Sequence, residues 1–70
     1  MNISNQIRML QAAKGLNDSQ TAEKLGLQKQ NYSRKLKNQT FSIVDLQKIA
    51  DALGFDMEII FTDRETGKKI

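Results

Sequence analysis

Apolar residues recur along the chain at two different periods. Ile3, Ile7 and Leu10 stand at helical spacing, Ala13 extends their stripe, and Gly15 supplies a stop. This predicts a first helix near residues 4–14, with Leu16 folding back onto its apolar face. A second, short helix is predicted over 18–25: Asn17 is a good N-cap, Asp18 suits the positive end of the helix dipole, and Gly26 ends the run. Ala22 and Leu25 face inward. A third helix is predicted over 29–37, whose large apolar residues are Tyr32 and Leu36, four apart, with Asn38 near its C-cap.

The fourth helix, 43–53, has the fullest set of signals. Ser42 and Asp45 are spaced as a capping box, and Phe41 and Leu46 as a hydrophobic staple. Ile43, Leu46, Ile49, Ala50 and Leu53 form one broad apolar face, and Gly54 closes it. Beyond it the period drops to two. Met57, Ile59 and Phe61 alternate with Glu58 and Ile60, which predicts a strand over 57–62. Asp63 and Gly67 then mark a turn into a stunted second strand. A two-stranded hairpin alone is marginal in water, so this strand is expected to pack on the helices or pair with its copy in a second chain. The fold class is therefore mostly α: four helices and a short C-terminal β-hairpin or dimer-pairing strand.

Seventy residues make one domain near the lower size limit for independent folding. There is no Cys and no His, so disulfides and Cys/His zinc sites are excluded. No acidic spacing resembles an oxygen-ligand loop, and no nucleophile–base pair is on offer, so neither a metal site nor an enzyme is expected. The N-terminus MNISNQIRML is too polar for a signal peptide, and the longest apolar run, Ile59 to Phe61, cannot span a membrane.

Charge is divided unevenly along the chain. Residues 1–40 carry seven Lys or Arg against two acids, a net +5; residues 41–70 carry four against six, a net −2. A basic front half suits a polyanion partner. With Tyr32 and Leu36 turned inward, the third helix presents Lys29, Gln30, Ser33, Arg34 and Lys37 outward. Lys and Arg donate to guanine, Gln pairs with adenine, and Ser contacts either. The two short helices around Gly26 match the helix-turn-helix unit.

The run IRMLQAAKGLNDSQTAEKLGLQKQNYSRKLKN, continued by FSIVDLQKIADALG, resembles the Xre/Cro/phage-repressor type of helix-turn-helix DNA-binding domain over residues 3 to about 55. The resemblance implies a cytoplasmic protein of bacteria or phages without a cofactor, regulating transcription as a homodimer on an inverted repeat in double-stranded DNA. It implies base contacts at Lys29, Gln30, Ser33 and Arg34, helped by Asn31. It implies phosphate contacts at Asn17, Asn38, Gln39 and Thr40, to which Lys35 and Lys37 add. Dimerisation is expected through Met57, Ile59 and Phe61.

The chain also departs from the family pattern. Asp18 stands where a phosphate-contacting Gln is usual, Thr21 replaces an inward Leu, and Lys35–Leu36 stand where Ile then Glu are usual. The partner of that Glu, an Arg on the first helix, is Gln11 here, so both charges of the pair are gone. Losing both is gentler than stranding one. The alternative reading is an antitoxin-like or other protein-interaction module on the same fold, gripping a toxin or another protein partner.

Overall fold

The computed structural model describes residues 2–70. Four helices follow one another: α1 (Ile3–Ala13), α2 (Asp18–Lys24), α3 (Lys29–Asn38) and α4 (Ile43–Leu53). The expected elements lie within a residue of these limits, and those of α4 coincide. Among the described residues no helix is long and apolar enough to cross a membrane.

The helix ends follow local chemistry. The Ser42 hydroxyl accepts from the Asp45 amide, and the Asp45 carboxylate accepts from the Ser42 amide, so the capping box is complete. A second box caps α2, built from Asn17 and Gln20. α1, α2 and α4 each end with the same pair of backbone bonds around a glycine; at α2, Gly26 bonds back to Glu23 and Leu27 to Ala22. The end of α3 differs. Gln39 takes the left-handed conformation at φ 53°, and its side-chain oxygen accepts from the Ile3 amide at 3.1 Å. That bond satisfies a free N–H at the start of α1, while Asn2 caps the Asn5 amide. The C-cap role expected of Asn38 therefore belongs to Gln39.

α2 packs chiefly on α3, and α1 on α4. One core joins the two pairs: Ile7, Ala22, Tyr32, Leu36, Ile49 and Leu53 are buried, and Leu10, Leu16, Leu25, Phe41, Leu46 and Phe55 pack against them. Full burial of each large aliphatic chain contributes about 1.5–3 kcal/mol. Lys14 closes one end, its ammonium 4.8 Å from the centre of the Phe55 ring. Ile43, the first residue of α4, does not join the core; it is 59% exposed.

The strand expected over 57–62 is absent. A single antiparallel bridge, Thr62 to Lys69, closes a turn at residues 63–68, flanked by Ile70 N–H to Phe61 O and Asp63 N–H to Lys68 O. So short a pairing, with no apolar face covering it, cannot propagate a ladder. Among the described residues, no backbone group of Met57–Ile60 bonds another backbone group. These residues and the turn form a C-terminal arm. The described residues measure 44 × 24 × 18 Å, with a radius of gyration of 13.8 Å.

Candidate nucleic-acid interface

The polar middle of the chain is held in place by three ties. At the C-terminal end of α3, the buried Ser4 hydroxyl on α1 donates to the Leu36 carbonyl. At its centre, Tyr32 is fully buried and its hydroxyl donates to Gln11 Oε1 at 2.7 Å. On its flank, Lys35 pairs with Asp45 of α4 at 3.4 Å. α3 is therefore fixed to α1 twice and to α4 once, in addition to its apolar contacts.

Gln11 makes the central tie directional. Its oxygen accepts from Tyr32, and its Nε2 donates to Asp18 Oδ1 at 2.6 Å. A primary amide supplies both an acceptor and a donor, so hydroxyl, amide and carboxylate form one chain. Asp18, at the position where the family resemblance places a phosphate contact, thus has its carboxylate engaged by Gln11. Burial, and then the Asp18 charge, push the Tyr32 hydroxyl up to about 12. Thr21, also fully buried, donates its hydroxyl to the Asn17 carbonyl at 2.9 Å. No buried side-chain nitrogen or oxygen among the described residues lacks a partner.

With Tyr32 and Leu36 inward, helical geometry puts Gln30, Arg34 and Lys37 in one outward stripe at i, i+4 and i+7. Asn31 and Asn38 lie beside it, and Lys29 opens the helix; all six are exposed. The stripe covers about 10 Å of helix. Ser33 is half-buried on one flank. The Lys35–Asp45 contact is the one ion pair among the described residues, so Lys29, Arg34 and Lys37 have no acidic side chain within 4.0 Å.

The expected phosphate-contacting residues divide. Lys37, Asn38 and Thr40 are exposed. Lys35 is engaged by Asp45, whose carboxyl is held below the usual carboxylate range first by the Ser42 amide and then also by Lys35 itself. Gln39 is spent on capping α1, and the Asn17 side-chain oxygen on the Gln20 amide. Sequence reasoning missed Ser4 and Gln20, and it named Gln11 only as the replaced member of an ion pair, without its bonds to Tyr32 and Asp18. The Asn17-x-x-Gln20 spacing was a signal for Gln20; the partners of Ser4 and Gln11 lie 32 and 21 residues away.

Of the expected dimerisation residues, Met57 is half-buried, while Ile59 and Phe61 are 51% and 71% exposed. Met57 and Ile59 line a cleft of about 500 Å³ between α1 and α4, together with Ile3, Leu10, Ile43 and Leu46.

Comparison of the chain with protein families, with curated proteins and with solved structures gave no match.

Proposed function

We propose that this protein binds double-stranded DNA in a sequence-specific manner, as a homodimer, with α3 in the major groove, and regulates transcription. The observation that carries the reading is the Gln30–Arg34–Lys37 stripe: polar and cationic on one face of a helix, without intramolecular ion partners, and backed by buried anchors on the other. A helix so anchored presents its donors without further ordering, which suits base-edge recognition. Lys29 adds a cation at the N-terminal end, the part of such a helix that meets bases. Asp18 costs less at a DNA surface than its charge alone implies, because its carboxylate accepts from Gln11.

The cleft between α1 and α4 favours a second reading, an antitoxin-like module that holds another protein. Binding to labelled duplexes over a salt series separates the two. A DNA binder loses affinity with a log–log slope of about −0.9 per neutralised phosphate. A chain that serves only as a protein-binding module shows no such affinity, and that result overturns the DNA reading.

A further inference from the structure

The cleft between α1 and α4 holds about 500 Å³, a volume suited to a small molecule, whereas the hollow between α3 and the other flank of α4 holds about 100 Å³. Its walls are aliphatic: Ile3 and Leu10 from α1, Ile43 and Leu46 from α4, Met57 and Ile59 from the arm. Its charged lining is of one sign. Asp56 and Glu58 reach the cleft, and no Lys or Arg does. Both acids are exposed, and among the described residues neither belongs to an ion pair. Lys14 stacks on the Phe55 ring, which lines the cleft, but is not itself in the lining.

We infer that this cleft binds a small aliphatic amine, its hydrocarbon on the aliphatic walls and its ammonium at Asp56 and Glu58, and that the site regulates α3. An uncharged apolar guest would strip water from the two carboxylates and return nothing, and an anion would be repelled. An ammonium offers several N–H donors to acceptor-only carboxylates, in charge-assisted bonds.

The regulatory part rests on the DNA binding proposed for α3, and it follows from where the ties of that helix begin. Ser4, which donates to the Leu36 carbonyl, follows Ile3; Gln11, which accepts from Tyr32, follows Leu10; Asp45, which pairs with Lys35, precedes Leu46. Ile3, Leu10 and Leu46 all line the cleft. The Ile3 amide also donates to Gln39 at the end of α3. Each tie thus starts at a cleft wall or one residue from it. A guest that wedges α1 away from α4 draws the ties on the two sides of α3 apart, because close-packed side chains transmit such a shift. The Gln30–Arg34–Lys37 stripe then moves off the geometry that DNA selects. By linkage, DNA weakens the amine by the same factor as the amine weakens DNA.

The test titrates the full chain calorimetrically with adamantylammonium and with its matched anion, adamantanecarboxylate. The amine is expected to bind saturably, one per chain, and the carboxylate not to bind in the cleft. Asp56→Asn combined with Glu58→Gln is expected to weaken the amine about 5-fold or more. Ile43→Trp, which fills the cleft from an exposed position, is expected to abolish binding. All three positions are exposed, so circular dichroism is expected to be unchanged. With the cleft saturated, duplex affinity is expected to fall about 5-fold or more, and not to fall in Ile43→Trp. Absence of saturable binding overturns the inference, as does binding indifferent to Ile43→Trp or to the charge of the ligand. So does a dimer, seen by sedimentation equilibrium, whose formation excludes the amine. Unchanged duplex affinity at saturation overturns the regulatory part. A chain that binds the amine but no duplex bears out the site and overturns the DNA reading, and the regulatory part falls with it, so the two failures are distinguishable.

Discussion

The hydroxyl of Tyr32, on α3, donates to the side-chain oxygen of Gln11, on α1, across 2.7 Å, and the same amide passes a second bond to Asp18 at the start of α2. Three helices thus meet at one side chain. Tyr32→Phe leaves the buried Gln11 oxygen without a donor and is expected to cost about 1–3 kcal/mol in urea unfolding. Gln11→Glu sets a carboxylate beside that of Asp18, which raises the carboxyl pKa values in the fold. Its stability deficit is therefore expected to shrink as pH falls, whereas Tyr32→Phe keeps its deficit throughout the acidic range.

Tyr32 also makes stability depend on alkaline pH. Its hydroxyl titrates near 10 when the chain is unfolded and at about 12 in the fold. Because the folded value is raised, the stabilisation is fully present below pH 10 and is lost as pH rises from 10 through 12. Tyr32 is the sole tyrosine, so tyrosinate absorbance reports it alone. The expected outcome is a titration displaced to about 12 in the native protein and back to the ordinary value in urea, with Tyr32→Phe lacking this part of the alkaline loss.

Asp45 acts in the opposite direction. It is held ionised by the Ser42 amide and by Lys35, so the stability it contributes is present above the usual carboxylate range and is lost as pH falls through its lowered folded value. Asp45→Asn is expected to remove that part of the acid sensitivity. It also frees the Lys35 ammonium and deletes a negative charge near α3, so affinity for duplexes of any sequence is expected to rise in anisotropy titrations.

On α3 the roles separate. Arg34→Ala and Gln30→Ala are each expected to cost about 1–3 kcal/mol on the preferred site and to relax one base position. Lys37→Ala is expected to weaken all sequences alike and to reduce the salt slope by about 1. Unchanged discrimination in the Arg34 and Gln30 variants would contradict the assignment of the stripe.

Much of the fold is legible in the chain because its signals are local. The Ser42–Asp45 box and Gly54 mark both limits of α4 within a few residues of sequence, and Tyr32 and Leu36 four apart reveal the buried edge of α3. What escapes is long-range. Nothing near Gln11 in sequence says that it will be buried between a phenol and a carboxylate, or that Gln39 will cap α1 from 36 residues away. Both are polar residues bonded to a distant partner, which periodicity cannot see. The alternation at 57–61 predicts a strand from side-chain pattern alone, but the single chain supplies no partner to pair with it. At the candidate interface the outward set on α3 is readable from helical phase, whereas the engagement of Lys35 by Asp45 depends on the crossing of α3 and α4.

The central claim is tested most directly by selecting bound molecules from a pool of random DNA duplexes at physiological salt. The expected result is enrichment of a two-fold symmetric site with half-sites about 34 Å apart, and loss of preference at one position per half-site with Arg34→Ala. A pool that stays random after repeated rounds would contradict it.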